Sequence, residues 1–390
     1  MPAGKEIFLR TKSEGHFDVI VVGGGAVGLA IAWRAAAGGL SVSVIDPAPG
    51  RGASHAAAGL LAPVTEAHYG ERELLQLNLE AAASYPTFVA ELEAASGRTV
   101  GYRRCGTLIV ARDADENEEL ARLFSFQQSL GLEVERLDRA GCRALEPGLS
   151  PVVRGGIRVD GDHQIDNRAL TAALLEACRL ADVQIEEQSV EEVLVHRGRA
   201  HGVRTSDGTS LMTDVVVVAA GSWSGSVPGI PREALPPVRP VKGQLIHLQN
   251  TNKEPFSEHN VRGLDVYIVS RVNGRTIVGA TVEEQGFDTN VTAGAVHELL
   301  RNAYELMPGI TELEFVEATA GLRPGTPDNA PLIGPSAVDG LVIATGHYRN
   351  GMLLTPVTAA AVSELLLKGS LPATMQPYSP QRFDRMKASA

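Results

Sequence analysis

Residues 18–28 read DVIVVGGGAVG, a short apolar run followed by a cluster of glycines. Gly23, Gly25 and Gly28 give the spacing GxGxxG. In such a motif the first glycine permits a tight turn, the second lets the backbone approach a pyrophosphate, and the third allows close packing of helix on strand. Because the motif lies between a predicted strand and a predicted helix, we interpret it as a dinucleotide-binding turn rather than a purely structural one.

The neighbouring segments complete a βαβ unit of about 30 residues. A helix is predicted from Leu29 to Ala37, and a second apolar strand over 41–45 ends at Asp46-Pro47. Asp46 comes roughly 20 residues after the last glycine, where a carboxylate accepts hydrogen bonds from a ribose. The amides at the helix N-terminus would face the phosphates.

Two further segments indicate what lies beside this unit. Residues 52–61, GASHAAAGLL, are mostly small, so the backbone can come close to a planar group, and Ser54 could bond a diphosphate or ribitol chain. Residues 346–356, GHYRNGMLLTP, join a buried strand to the start of a helix. If the group beside this helix is a flavin ring, the helix dipole would stabilise the negative charge of its reduced form. A tightly packed turn is the alternative interpretation of residues 52–61.

Alternating and continuous apolar runs predict an α/β protein with two domains. Helices are predicted over 74–96 with a possible kink at Pro86, 113–130, 166–182, 296–307 and 352–367. A Rossmann-like domain would combine 17–75, 151–235 and 320–385. Residues 76–150 and 236–319 would form a substrate domain on a mixed or antiparallel sheet.

Composition excludes several classes of protein. The chain has 390 residues and a net charge of −11, with no run of Lys or Arg that would favour nucleic acid or an anionic membrane. We expect no membrane-spanning helix, since no wholly apolar run reaches about 18 residues. Residues 1–16 lack the apolar core of a signal peptide and are expected to be a loose extension. The three cysteines are far apart, which predicts a cytoplasmic protein with no disulfides and no metal site.

The C-terminal motifs carry a specific resemblance. AGLRPGTPD (320–328) and GHYRNGMLLTP resemble the glycine oxidases of thiamine biosynthesis, within the D-amino acid oxidase and sarcosine oxidase superfamily. VVVVAAGSWS, RPVKGQ, VYIVSR and GRTIVGAT follow in the order found in that family, so the resemblance extends from about 17 to 367. It implies a glutathione-reductase-type FAD domain, a separate substrate domain and a homotetramer.

The resemblance also assigns residues. Arg323 matches the arginine that binds the substrate carboxylate, Tyr267 the tyrosine that shares it, and Arg349 a second arginine near the substrate. Matches to flavin-facing or FAD-contacting positions are Ala26, Val27, Asp46, Pro47, Ala53, Ser54, Ala58, Gly59, Leu60, Val190, His347, Tyr348, Arg349, Asn350, Gly351, Met352 and Leu353. No cysteine lies near Gly321, where relatives with a covalent flavin have one, so FAD should be bound non-covalently.

Each assigned side chain has a structural alternative. Either arginine could form an ordinary salt bridge, Tyr267 could pack on the sheet, and His347 is expected to pack or contact backbone rather than act as a base. Asp265 is given no role. A guanidinium offers paired hydrogen bonds to a carboxylate, which agrees with the assignments.

The function expected from the resemblance is oxidative deamination of glycine, and also of sarcosine or D-alanine. Hydride would move to the flavin, and oxygen would be reduced to hydrogen peroxide. The alternatives are a D-amino acid or sarcosine oxidase, a dehydrogenase with another electron acceptor, or an FAD-binding protein without amine chemistry.

Overall fold

The computed structural model describes residues 16–383. The expected loose extension therefore lies outside the described residues except for His16, which begins the first strand. Residues 384 and 385, at the end of the predicted Rossmann-like domain, also lie outside them.

Within the described residues the chain forms eighteen strands and eight α-helices. The strands are β1 (His16–Val22), β2 (Val42–Ile45), β3 (Leu60–Leu61), β4 (Thr107–Ala111), β5 (Glu135–Asp138), β6 (Gly155–Val159), β7 (His163–Gln164), β8 (Gln184–Glu186), β9 (Val190–His196), β10 (Arg199–Thr205), β11 (Ser210–Val218), β12 (Arg239–Gln249), β13 (Asn260–Arg262), β14 (Tyr267–Ser270), β15 (Arg275–Gly279), β16 (Glu314–Gly325), β17 (Leu332–Pro335) and β18 (Leu341–Thr345). The helices are α1 (Ala26–Ala37), α2 (Ala53–Ala56), α3 (Arg72–Ser96), α4 (Ala114–Ser129), α5 (Arg139–Leu145), α6 (Asn167–Leu180), α7 (Ala293–Leu306) and α8 (Gly351–Lys368).

The first sheet has the strand order β17-β18-β11-β1-β2-β8, with the β9–β10 hairpin attached to β11. The strands β18, β11, β1, β2 and β8 run parallel, with β8 at the edge of the sheet. Their continuous Val and Ile runs are typical of parallel strands covered on both faces. Helices α1, α3, α6 and α8 contribute to the large core that includes Leu29, Leu174 and Leu354.

The second sheet has the order β16-β12-β15-β14-β13-β4-β6-β5. All its neighbours pair antiparallel except β13 and β4, which run parallel. Helix α7 packs on it through Leu299, Ala303 and Leu306. The predicted fold class, a Rossmann-like α/β sheet with a second mixed sheet, is confirmed.

Two strands lie in a different sheet from the one we predicted. Strand β6, in the segment 151–235, and the end of β16, in 320–385, belong to the second sheet instead of the first. The reason is pairing: β6 lies between β4 and β5, and β16 pairs along its length with β12. The division into two domains otherwise stays a prediction.

We expected no segment long and apolar enough to span a membrane, and helix α8 shows that this expectation was wrong. Among the described residues, 348–368 pass that test, with a mean hydropathy of 1.3. Yet 67% of that apolar window is buried inside the protein, as in the core helix of a soluble fold. Tyr85 of α3 donates a hydrogen bond to the Met352 carbonyl at 3.1 Å, which ties the start of α8 to the core. The helix containing Pro86 is continuous.

Candidate active site

A cavity of about 1280 Å³ lies between the two sheets and has walls from both. Ligand pockets typically have volumes of about 300–1,000 Å³, so this one is large enough for a dinucleotide together with a small substrate. The turn after β1 and the segment 51–60 form part of its wall. Strands β12, β14 and β16 and the segment that follows β15 contribute another part.

The glycine motif forms the tight turn that its spacing predicts. Gly23 has φ of +110°, and a Cβ there would lie 2.5 Å from the Ala219 oxygen. A Cβ on Gly28 would lie 2.0 Å from the Gly23 oxygen, which shows how closely α1 packs on β1. A Cβ on Gly25 would meet only the Ser54 hydroxyl, at 3.4 Å. The second glycine thus leaves room for a ligand at the N-terminus of α1.

Ser54 and Asp46 organise the surroundings of this turn. The Ser54 hydroxyl accepts a hydrogen bond from the Ala26 amide at 3.0 Å, at the first residue of α1. The Asp46 carboxylate accepts from the amides of Gly24 and Ala48, both at 2.7 Å. Both side chains line the cavity, so they are placed to contact a phosphate and a ribose.

Most of the predicted cofactor residues line this one cavity. They are Gly23, Gly25, Ala26, Val27, Asp46, Pro47, Ala53, Ser54, Ala58, Gly59, Leu60, Val190, His347, Tyr348, Arg349, Asn350, Gly351 and Met352. Gly28 packs below the turn, as its role requires. Leu353 is the exception, because its side chain, 1% exposed, belongs to the hydrophobic core.

The segment before α8 presents polar groups to the cavity. Within the described structure the Asn350 Nδ2 atom is buried without a hydrogen-bond partner, and Asn350 lines the cavity. The N-terminal turn of α8 also lines it, through Gly351 and Met352. An unpaired donor and a positive dipole end fit the electron-rich edge of a flavin ring.

His347 is buried beside this segment. Its Nε2 atom lies 2.9 Å from the Thr358 hydroxyl, and burial lowers the pKa of the imidazole to about 4. The ring is therefore neutral at pH 7 and is hydrogen-bonded to Thr358 of α8. This geometry supports the packing role predicted for His347 over that of a catalytic base.

The predicted carboxylate-binding pair, Arg323 and Tyr267, meets in the second sheet. Arg323 on β16 extends across β12, where a Cβ on Gly243 would lie 2.3 Å from its Nη1 atom. Tyr267 lies across from Gly279 on β15, where a Cβ would lie 2.5 Å from the phenol oxygen. Because Gly243 and Gly279 have no side chains, Arg323 and Tyr267 can lie over them and reach the cavity.

The charge near Tyr267 is positive. Burial raises the pKa of the phenol, and the Arg323 and Arg262 guanidinium groups oppose that rise. Arg323 donates to the carbonyls of Thr281 at 3.0 Å and Lys242 at 3.4 Å. Within residues 16–383 it has no carboxylate partner at salt-bridge distance.

Arg349 differs from Arg323 because it is already paired. Its Nε atom lies 2.8 Å from a Glu66 oxygen and its Nη2 atom 2.7 Å from a Glu71 oxygen. Arg262 also pairs with Glu66. Burial would raise the pKa of Glu66, but Arg262 and Arg349 outweigh that effect and hold it below the usual value. The structure thus places Arg349 beside the cavity as part of a neutral cluster.

Sequence reasoning missed several residues of the site. Glu66 and Arg262 line the cavity, and Gly243 and Gly279 shape it, but the sequence analysis assigned none of the four a role. The signal that could have found Gly243 is its place inside RPVKGQ, a glycine in an otherwise regular strand. Asp265 lies at the cavity wall and pairs with Arg112 at 3.4 Å.

Comparison with known proteins decides the family. The family model described as FAD dependent oxidoreductase matches residues 18–365. The chain belongs to this family of FAD-dependent oxidoreductases. The family membership confirms FAD as the cofactor, and the unpaired Asn350 donor and the space at Gly25 fit it.

Two relatives in sequence show which members of the family this chain is similar to. A bifunctional protein ThiO/ThiG of Synechocystis sp. is 37% identical over 373 residues, which cover 94% of this chain and 54% of that protein. The chain thus spans about half the length of such relatives. The glycine oxidase of Geobacillus kaustophilus is 31% identical over 368 residues, 93% of this chain and 96% of that one.

Solved structures agree with the sequence relatives. The crystal structure of glycine oxidase from Geobacillus kaustophilus has a TM-score of 0.87, at 31% identity, and the match covers 94% of this chain and 99% of that one. Iminodiacetate oxidase from Chelativorans sp. has a TM-score of 0.83 at 27% identity, with 93% and 98% covered. The resemblance to glycine oxidases is therefore confirmed in sequence and in fold.

Proposed function

We propose that this FAD-dependent oxidoreductase catalyses the oxidative deamination of glycine, with sarcosine and D-alanine as further substrates. The observation that carries the proposal is the charge balance of the cavity. Glu66 and Glu71 neutralise Arg262 and Arg349. Arg323, by contrast, has no carboxylate partner at salt-bridge distance among the described residues and contacts two carbonyls and Tyr267. A half-buried guanidinium without a carboxylate partner favours an anionic ligand, so this end of the cavity matches a ligand with one carboxylate.

Arg323 and Tyr267 would bind and orient the substrate carboxylate. The guanidinium offers two parallel hydrogen bonds, and the phenol, kept protonated by its raised pKa, donates a third. Bound FAD would supply the redox chemistry, in which a hydride leaves the substrate α-carbon and oxygen takes up the two electrons and is reduced to hydrogen peroxide. The remaining work of the protein is positioning, which lowers the barrier by holding the α-carbon in a reactive geometry.

No strong base is needed if the amine enters in its neutral form. Glu66 is a poor base because two guanidinium groups stabilise its ionised state. His347 is neutral but is bonded to Thr358. The imine released from glycine would hydrolyse to glyoxylate and ammonia.

The test adds glycine, sarcosine, D-alanine and iminodiacetate separately to the yellow holoenzyme and measures peroxide and oxygen uptake. We expect turnover with the first three and weak turnover with iminodiacetate, whose second carboxylate meets arginines that are already paired. Absence of oxygen uptake with all three monocarboxylates would refute the proposal. Flavin bleaching without oxygen uptake would indicate a dehydrogenase instead.

We further propose a role in thiamine biosynthesis, a cytoplasmic location and a homotetrameric assembly. The bifunctional ThiO/ThiG relatives support the first of these. The free state of Cys105, Cys142 and Cys178 supports a reducing compartment. Light scattering at micromolar concentration tests the assembly, since a tetramer has four times the 41.2 kDa mass of the chain.

A further inference from the structure

Residues 281–292, which follow β15 and lead to α7, form a strap beside the carboxylate-binding arginine. Near its start, Glu283 and Lys242 of β12 exchange two backbone hydrogen bonds of 2.9 and 3.0 Å. At its end, the Thr292 amide donates to the Gln244 side chain at 2.8 Å. Both ends of the strap are therefore fixed to the same stretch of β12.

The middle of the strap is fixed by a buried cation. Lys242 is 1% exposed, and its ammonium lies 2.5 Å from the Asp288 carboxylate. In the described part of the chain, Asp288 is its one carboxylate partner at salt-bridge distance. Asn290 donates to the same carboxylate at 2.5 Å and holds it in place. A buried ammonium without its partner is strongly unfavourable, so this pair keeps the strap against β12.

The strap also touches Arg323 directly. The Nη1 atom of Arg323 donates to the carbonyl of Thr281, in the strap, and to the carbonyl of Lys242. The Thr281 hydroxyl accepts from the Gln244 amide at 2.9 Å and donates to Glu283 at 2.5 Å, which fixes the direction of this residue. The same junction thus holds the buried cation and orients the guanidinium.

We propose that Lys242 and Asp288 are positioning residues for the substrate carboxylate. Their ion pair holds the strap, and the Thr281 and Lys242 carbonyls then direct the free face of the Arg323 guanidinium into the cavity. The inference rests on the proposed function only in that Arg323 binds a carboxylate. It adds that Lys242 and Asp288, which lie behind Arg323 as seen from the cavity, would set the affinity for the carboxylate without contacting the substrate.

Acetate, a carboxylate with no oxidisable amine, is a suitable probe. Titration of the holoenzyme followed by flavin absorbance gives its dissociation constant without turnover. We expect Asp288→Asn to raise that constant about tenfold, as loss of a supporting contact typically does. Asp288→Glu keeps the charge and should recover most of the affinity. With glycine, KM should rise by a similar factor while kcat stays within about twofold, since uniform binding is lost.

Glu284→Gln is the matched control. Glu284 is on the same strap but pairs with Arg239 at 3.1 Å, away from Lys242, so its change should leave acetate binding intact. If Asp288→Asn does not retain FAD, Thr281→Val carries the test, because it removes the hydroxyl that fixes the Thr281 carbonyl. The same weakening of acetate is expected.

The outcomes separate the two proposals. If Asp288→Asn binds acetate as tightly as the wild type does, this inference is overturned and the proposed function still stands. The same holds for Thr281→Val where that variant replaces Asp288→Asn. Wild-type acetate binding without glycine oxidation would overturn the proposed substrate alone. Failure of the wild type to bind any carboxylate would overturn both.

Discussion

At the scale of single residues, the open side of Arg323 distinguishes this site. Its Nη1 atom donates to two carbonyls, while the guanidinium borders a cavity in which Arg262 and Arg349 are already paired with carboxylates. The interaction it can offer a ligand is charge-assisted, and such hydrogen bonds contribute roughly 1.5–3 kcal/mol each.

We therefore predict that Arg323→Ala lowers kcat/KM for glycine about a hundredfold, corresponding to about 3 kcal/mol. FAD should remain bound, because Arg323 lies in the second sheet, away from the glycine turn. Arg323→Lys should recover only part of the activity, since an ammonium cannot present a planar pair of donors. Steady-state kinetics and the flavin spectrum check both statements. Wild-type kinetics in Arg323→Ala would show that another residue binds the carboxylate.

The sequence pointed to Arg323 and Tyr267 but not to Glu66 or Arg262. The first two lie in segments that carry the resemblance to the glycine oxidases, and their roles stay predictions. The ion pair of Arg262 with Glu66 joins residues far apart in the chain, and no local pattern records such a partner. For the same reason the sequence could not show that Arg349, matched to an arginine near the substrate, pairs with Glu66 and Glu71.

At the scale of strands, the register of β12 against β16 decides what Arg323 can reach. Val241 is opposite Arg323, and Gly243 is opposite Gly321. The guanidinium lies over Gly243 because that residue has no side chain. Apolar periodicity predicts that both segments are strands, yet it cannot predict which strands pair, and it likewise misplaced β6.

A methyl group at Gly243 should therefore displace Arg323. The three atoms nearest to a Cβ there all belong to the guanidinium, within 2.5 Å, so the flexible side chain must move. We predict that Gly243→Ala raises KM for glycine about tenfold, as small misplacements of a positioning group do. Gly161→Ala is the matched control, since a Cβ there meets nothing within 4 Å. Equal KM values in the two variants would contradict the role of Gly243.

The segment joining β18 to α8 should make stability depend on pH. Burial lowers the pKa of His347 to about 4 in the folded protein, against 6.5 for the ordinary group. As pH falls from 6.5 towards 4, the unfolded chain binds this proton and the folded one does not, so stability decreases across that window. The loss from this residue is about 2 kcal/mol at pH 5.

His347→Gln should remove that part of the pH dependence. Chemical denaturation of wild type and variant at pH 7 and pH 5 gives the comparison. We expect the wild type to lose more stability than the variant between the two pH values. An equal loss in both would mean that His347 is protonated without cost in the folded state.

At the scale of the whole molecule, one cavity receives residues from both sheets. The glycine turn and Asp46 belong to the first sheet, and Arg323 and Tyr267 to the second. FAD bound along this cavity would contact both parts of a chain that crosses between the sheets several times. The discontinuous arrangement was predictable from the strand–helix pairs at both ends of the sequence, because a parallel sheet must bury both faces.

The manner in which FAD is held follows from the same arrangement. Cys105, Cys142 and Cys178 all lie within the described residues, and none of them lines the cavity. We therefore predict that acid precipitation releases intact FAD into the supernatant, identified by its absorbance and chromatographic mobility. Because a ligand that binds only the folded state stabilises it, FAD at about 100 times its Kd should add about 2.7 kcal/mol to the apoprotein. That gain should raise the melting temperature by several degrees in a titration. Flavin that stays with the precipitated chain would show a covalent bond to a residue other than cysteine.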